Sequence, residues 1–113
     1  MSENKEIVTT EEIEILESGA GEYKFKKPAK IDGEIVETIK YDFNEITGEN
    51  VRKARSELGK RGYVVSVKEL DECYHAALFA EAAGITYADV ERFSMADYTA
   101  VASIASAFLN GEA

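Results

Sequence analysis

Residues 23–43 alternate apolar and polar side chains with the two-residue period of a half-buried strand. The apolar positions of this pattern are Tyr23, Phe25, Ile35, Ile39, Tyr41 and Phe43. Asp32-Gly33 lies between the two alternating runs and is a strong turn signal. The pattern therefore predicts a β-hairpin.

The loop length of this hairpin decides which side chains face each other. A two-residue loop would place Phe25 opposite Lys40, which mixes apolar and charged residues on one face. A three-residue loop, residues 31–33, with glycine in a bulge, places Phe25 opposite Ile39. We therefore predict the three-residue loop. Pro28 cannot donate a ladder hydrogen bond, so it marks either an edge strand or a bend.

After the hairpin, the apolar spacing changes to the period of a helix. Helices are predicted over about 49–60, 67–83 and 95–110, with a short helix that Thr86 opens and that runs to about Phe93. The predicted N-terminal caps are Thr47 and the three capping boxes Ser66/Glu69, Thr86/Asp89 and Ser94/Asp97. Gly84 is expected to end the second helix. The fold class is therefore α+β: an N-terminal β-hairpin followed by three to four α-helices in a small helical array.

The length of 113 residues predicts one domain. Residues 1–22 are rich in glutamate, contain Lys5 as their only basic residue and end in "ESGAGE". This composition predicts an acidic flexible tail over 1–22 and a single domain over 23–113. Ile13 and Ile15 alternate with glutamate, which leaves a short strand in the tail as the alternative.

Composition and charge narrow the classes of partner. Hydrophobic residues make up 45% and charged residues 31%, as in a globular protein. A net charge of −9 repels a phosphate backbone, so we expect no nucleic-acid partner. The N-terminus does not look like a secretory signal, and no apolar run approaches the roughly 20 residues that span a bilayer. We expect a soluble, cytoplasmic protein without a membrane partner.

Asp71, Cys73 and His75 lie close together in the sequence, and the chain has one cysteine and one histidine. A catalytic nucleophile must lie within hydrogen-bond reach of its base, but residues i and i+2 of a helix face apart. We therefore predict Cys73 at the edge of an apolar stripe and His75 in solvent. Because nucleotide-binding and calcium-binding motifs are also missing from the sequence, we predict no enzymatic activity, no metal and no cofactor.

Two predicted helices carry more apolar surface than one buried face requires. The last helix has no charged residue after Asp97, so it is either central in its own bundle or covered by another chain. Phe79 is predicted to point away from the apolar stripe of its helix. The candidate protein-binding residues are Phe79, Phe93, Tyr98 and Phe108. Wide apolar faces also make a homo-oligomer a candidate state in the absence of a partner.

Three segments in order resemble a known family: "FKKPAKIDGEIVETIKYDF", "ITGENVRKA" and "CYHAALFAEAAGITYADVERFSMADYTAVASIASAFL". Over about residues 23–109 they are similar to the small tail assembly chaperones of long-tailed bacteriophages. The order and spacing of Gly84-Ile85, Asp89-Val90, Asp97-Tyr98 and Phe108 carry the resemblance. This family has no catalytic motif.

The resemblance implies a chaperone that binds the tape measure protein and other tail assembly proteins. It would keep the tape measure protein soluble, promote tail tube assembly and correspond to the short form of such chaperones. It would act in the cytoplasm of the bacterial host and be missing from the mature virion. The alternative, motivated by the acidic tail, is a small acidic interaction adaptor or a DNA-mimic regulator.

Overall fold

The computed structural model describes residues 19–67 and 70–111. These residues form an antiparallel hairpin followed by four helices, which confirms the predicted α+β fold. The elements are strands β1 (Ala20–Ile31) and β2 (Glu34–Asp42), a 3-10 turn (Phe43–Glu45), and helices α1 (Gly48–Lys60), α2 (Glu72–Ala83), α3 (Tyr87–Glu91) and α4 (Met95–Leu109).

The hairpin turn contains two residues, so the predicted three-residue loop is wrong. Ile31 pairs with Glu34, and Asp32 and Gly33 have φ angles of 55° and 84°. Two successive residues with positive φ form the type of tight turn whose twist matches that of paired strands. With this loop and regular pairing, Phe25 would lie opposite Lys40. An irregularity further along β1 prevents this pairing.

A bulge in β1 restores the register. Lys24 lies opposite Thr38 and Ala29 lies opposite Val36, so residues 25–28 face a single residue of β2. Pro28 lies inside this irregular segment, where a missing N–H disturbs no ladder hydrogen bond. β1 is also an edge strand of the two-stranded sheet, so the prediction that Pro28 marks either an edge strand or a bend is confirmed.

Helix α2 begins five residues later than predicted. The Oδ1 atom of Asp71 accepts a hydrogen bond from the Tyr74 amide at 2.9 Å and caps the helix there. The predicted start after a Ser66 cap is therefore wrong, because Asp71 is a competing cap closer to the packed residues. Gly84 has a φ of 73° and ends the helix in the left-handed conformation, as predicted.

The other helices follow their predicted caps. Thr47, Thr86 and Ser94 lie at the N-caps of α1, α3 and α4. Helix α2 is central, because it packs against α1, α4, α3, the 3-10 turn and β2. Its residues 74–80 are all buried. The hydrophobic core therefore surrounds α2, with the hairpin on one side of it.

The predicted acidic tail lies mostly outside the described residues. Its last residues, Ala20 to Glu22, belong to β1, so the folded domain begins earlier than residue 23. Among the described residues, no helix is long and apolar enough to cross a membrane.

Candidate protein-binding surface

Asp97 joins the hairpin to α4 and is fully buried. Its Oδ1 atom accepts hydrogen bonds from the Tyr23 hydroxyl at 2.5 Å and the Lys26 amide at 2.8 Å. Its Oδ2 atom accepts from the Lys27 amide at 3.1 Å and the Ser94 hydroxyl at 2.7 Å. We call this group of five residues the Asp97 junction.

The bulge in β1 explains why the junction forms. Residues 25–28 are out of register with β2, so the amides of Lys26 and Lys27 need another acceptor. The carboxylate in the first turn of α4 supplies it. From the sequence, Asp97 was expected to cap its helix, and its amide does donate to Ser94 Oγ at 3.2 Å. Its larger role as the acceptor for the hairpin was missed.

The electrostatics of the junction favour an ionised Asp97. Burial alone would raise the pKa of this carboxyl group. The hydrogen bonds from Tyr23, Lys26, Ser94 and Lys27 stabilise the charged form and outweigh burial, so the pKa falls to about 2. Burial and the neighbouring carboxylate conversely raise the pKa of Tyr23. The junction is therefore a buried anion that neutral donors satisfy.

Cys73 and His75 do not form a catalytic pair. Cys73 is half-buried and interacts with the hydroxyl groups of Tyr87 and Tyr98, which lie 2.6 Å from each other. His75 lines a different recess of about 340 Å³ beside Ser103 of α4. His75 is buried, so its expected solvent exposure is wrong. The solvent position was expected from the angular positions of residues on α2 alone, but helix α4 covers this side of α2.

The tyrosines around Cys73 are not poised for proton transfer. Burial is the main cause that raises the pKa of Tyr87, to about 12, and it also raises the pKa of Tyr98. Both hydroxyls are therefore protonated near neutral pH and act as hydrogen-bonding groups. Within residues 19–67 and 70–111, no group of three or more His, Cys, Asp or Glu side chains could hold a metal ion.

Two of the four candidate binding residues lie in the core. Phe79 has no exposed surface, and its ring lies 5.4 Å from that of Tyr41. Phe93 is buried with its ring 4.7 Å from that of Phe25. Phe79 was expected to point away from the apolar stripe of its helix, and the hairpin covers this side of α2, so the ring lies in the core. In the single chain, neither ring offers a free surface to a partner.

The other two candidates keep some exposed area. Tyr98 is half-buried, with its hydroxyl on Tyr87. Phe108 is 36% exposed and stacks on Phe43 with 5.2 Å between ring centroids. It also packs against Gly19, where a Cβ atom would come within 2.6 Å of its ring. A binding role for these residues stays a prediction.

The charge-free helix α4 is largely covered by its own fold. Val101, Ala102 and Ala105 are buried, and α4 packs extensively against α2. The polar residues Thr99, Ser103 and Asn110 are exposed on the other side. Of the two alternatives for this helix, the structure favours the central position, with large exposed apolar side chains at its two ends, Met95 at the start and Phe108 and Leu109 at the C-terminal end.

Comparison with known proteins identifies the family. The family model described as phage tail assembly chaperone proteins, E, or 41 or 14, matches residues 22–110. The chain belongs to this family. The match confirms the resemblance drawn from the sequence and includes the whole Asp97 junction. Searches of the curated proteins and of the solved structures found no match.

This tail assembly chaperone family member exposes an apolar segment that the sequence reading missed. We define the α1–α2 loop as residues 61–67 and 70–71. Val64 and Leu70 are 80% and 81% exposed, and Val67 is 51% exposed. Val67 and Leu70, which were predicted to be part of the second helix, thus lie outside it. The available signal was Asp71, a second N-cap candidate that would leave these residues in a loop.

Polar contacts hold the α1–α2 loop in place. The Tyr63 amide donates to the Leu58 carbonyl at 3.0 Å, and the Tyr63 hydroxyl donates to Asp71 Oδ2 at 2.8 Å. Arg61 pairs with Glu91 at 3.0 Å. The apolar side chains are therefore presented to solvent by an anchored backbone. Contiguous exposed apolar surface is typical of protein-binding sites, and these three side chains lie within seven positions of the sequence, so the loop is a candidate for such a site.

Proposed function

We propose that this protein is a non-enzymatic chaperone that binds the tape measure protein of its phage, keeps it soluble and promotes tail tube assembly. The observation that carries the proposal is the family match over residues 22–110. The family is one of tail assembly chaperones and not an enzyme family. Its action would take place in the cytoplasm of the bacterial host, and the protein would leave before the virion is mature.

The α1–α2 loop supplies a surface suited to this client. A long helical client presents repeated apolar positions, which are held by apolar contact. Val64, Val67 and Leu70 are exposed apolar side chains of medium size on one short segment. Phe108 adds a partly exposed ring at the end of α4. Self-association through the same side chains would protect them before the client is bound.

Co-expression with the tape measure protein of the same phage tests the proposal. The client should stay in the soluble fraction with the wild-type chain and precipitate without it. The double variant Val64→Ser/Leu70→Ser should lose much of this effect. A matched control is Ile35→Ser, which removes an apolar side chain that is 68% exposed on β2, outside the α1–α2 loop. Equal precipitation of the client with and without the wild-type chain would contradict the proposal.

The acidic N-terminal residues support a second candidate, a small acidic adaptor or DNA-mimic regulator. Residues 1–18 contain six glutamates and one lysine. Such a regulator would use this charge to bind a basic site, so replacing the glutamates by glutamine would abolish its binding. A chaperone that works through the α1–α2 loop would keep its client after the same replacement.

A further inference from the structure

We propose that residues 1–18 of the chain dock on the basic outer face of α1, in the groove between α1 and the start of α3. The groove has a volume of about 360 Å³. Its lining residues on α1 include Arg52, Lys53, Ser56 and Lys60, and on the other side it reaches Ile85 and Tyr87. The inference goes beyond the proposed function, because it concerns a contact within one chain.

Helix α1 differs in charge from the rest of this acidic protein. Its cations are Arg52, Lys53, Arg55 and Lys60, and its carboxylates are Glu49 and Glu57. Glu57 is already paired with Lys60 at 3.0 Å and with Arg61 at 3.2 Å. Among the described residues, Arg52 and Lys53 make no ion pair, and both are exposed. Two consecutive cations within one turn of α1 therefore remain available to an anion.

The carboxylates at the groove are occupied by other partners. Glu81 on the opposite wall accepts a hydrogen bond from the Asn50 side chain at 2.7 Å. Glu57 is engaged by Lys60 and Arg61. Counted by charge, the lining has three cations, Arg52, Lys53 and Lys60, against the two carboxylates, so the groove keeps one net positive charge.

Charge complementarity identifies the occupant. Residues 1–18 carry Glu3, Glu6, Glu11, Glu12, Glu14 and Glu17 against Lys5. They also contain aliphatic residues, among them Ile13 and Ile15, which suit the apolar wall at Ile85 and Tyr87. An acidic segment in the same chain has a high effective concentration at this face.

The hairpin is the competing basic surface, but its charges are balanced. Its strands and turn carry lysines 24, 26, 27, 30 and 40 together with Glu22, Asp32, Glu34, Glu37 and Asp42. An anionic segment gains little net attraction from such an alternating surface. Helix α1 is therefore the favoured docking face.

The chain geometry allows the contact. Residue 18 leads directly into Gly19, whose carbonyl accepts from the Phe43 amide at 2.8 Å, beside Asn44. Helix α1 begins at Gly48, only four residues beyond Asn44. Eighteen extended residues reach up to about 60 Å, whereas a 13-residue helix is about 20 Å long. Residues 1–18 can thus reach every cation of α1.

A spin-label experiment on the full-length chain tests the proposal. A nitroxide is attached at Thr10→Cys in a Cys73→Ser background, and amide signals are recorded by NMR. At about 0.01 M salt the Debye length is about 30 Å, and at 1 M it is about 3 Å. We expect the signals of α1 and Thr86 to lose about twofold in intensity at low salt and to recover at high salt, since the contact is electrostatic.

Charge reversals give the matched control. Arg52→Glu/Lys53→Glu should abolish the low-salt broadening of α1. Lys24→Glu/Lys40→Glu makes the same change of charge on the exposed hairpin, and the low-salt broadening of the α1 signals should persist in this variant. Broadening that is missing in the wild type, or that survives Arg52→Glu/Lys53→Glu, would overturn the proposal. Broadening only in mixtures of labelled and isotope-labelled chains would also overturn it, because the occupant would be a second copy.

A label-free measurement covers the case in which the labelled chain does not fold. Lysine acetylation is followed by mass spectrometry in the wild type and in Glu11→Gln/Glu12→Gln/Glu14→Gln/Glu17→Gln. Lys53 should react about threefold faster in the variant, while Lys24 and Lys40 serve as internal references. Equal rates at Lys53 would contradict docking. No client protein is present in either experiment, so the results do not depend on the chaperone function.

Discussion

The Asp97 junction and the α1–α2 loop are two places where the chain departs from regular structure, and they differ in the kind of side chain that is buried or exposed. At the junction, a charged side chain is fully buried and both of its oxygens are satisfied. In the loop, aliphatic side chains are exposed on an anchored backbone. The junction joins the hairpin to the helices, whereas the loop contributes little burial. Stability and partner binding should therefore respond to different substitutions.

The largest effect is expected at the junction itself. Asp97→Ala leaves the Tyr23 hydroxyl and the amides of Lys26 and Lys27 without their acceptor in a buried site. Losing several hydrogen bonds to a buried anion should lower the free energy of unfolding by about 4–5 kcal/mol. Urea denaturation followed by circular dichroism measures this change.

A milder substitution keeps this prediction testable if the alanine variant does not fold. Asp97→Asn retains an acceptor oxygen but loses the charge, and we expect a loss of about 2 kcal/mol. The control is Glu34→Ala, at an exposed position on β2, which should change stability by less than about 0.5 kcal/mol. Similar losses for Asp97→Ala and Glu34→Ala would show that the junction does not hold the fold.

Substitution of Phe79 should cause the next largest loss of stability. Like the Asp97 junction, and unlike the α1–α2 loop, Phe79 is expected to affect folding and not partner binding. Its ring has no exposed surface and contacts Tyr41 and Phe43, so Phe79→Ala leaves a cavity under the hairpin. We expect a loss of about 3–4 kcal/mol in the free energy of unfolding, comparable with that of Leu78→Ala. Thermal unfolding of both variants checks this. A stable Phe79→Ala variant that fails only in binding the client would return Phe79 to the binding surface.

The contribution of the Asp97 junction to the free energy of unfolding should depend on pH through the pKa of Asp97, whereas the uncharged side chains of the α1–α2 loop give no such dependence. Its folded-state pKa of about 2 lies below the ordinary value of 3.8. The resulting stability, about 2 kcal/mol, is therefore complete above about pH 4 and is lost as the pH falls toward 2. The difference in free energy of unfolding between the wild type and Asp97→Asn, measured by urea titration at several pH values, should shrink in this window. A constant difference from pH 5 to pH 2 would contradict the low pKa.

The regular elements could be predicted because their signals are local. The caps Thr86 and Ser94 and the terminal Gly84 act within one turn of a helix, and each was found in its predicted role. The family could also be recognised, because the order and spacing of its short motifs can be seen in the sequence without any knowledge of the contacts that these residues make. These signals were sufficient for the fold class.

The features that failed depend on contacts distant in sequence. The β1 bulge is compensated by Asp97, 70 residues from Lys27, so local strand pairing alone favoured the wrong loop. His75 and Phe79 were placed outside because a helix projection shows one helix and not the α4 and hairpin that cover it. The exposed loop was missed because the sequence offers a Ser66/Glu69 capping box as well as Asp71, and the packing of residues 74–80 against the rest of the chain selects Asp71. Tertiary packing decided each of these cases.

The smallest effect on stability is expected in the α1–α2 loop. Val64 and Leu70 are 80% and 81% exposed, so Val64→Ser/Leu70→Ser removes little buried area and should change the free energy of unfolding by less than about 0.5 kcal/mol. The same change should weaken the self-association proposed for this loop, since it removes the most exposed aliphatic groups of the loop. Sedimentation measurements at increasing concentration, beside urea unfolding, would detect both outcomes. A loss of stability as large as that of Phe79→Ala would mean that the loop is part of the core, and the contrast with the Asp97 junction would fail.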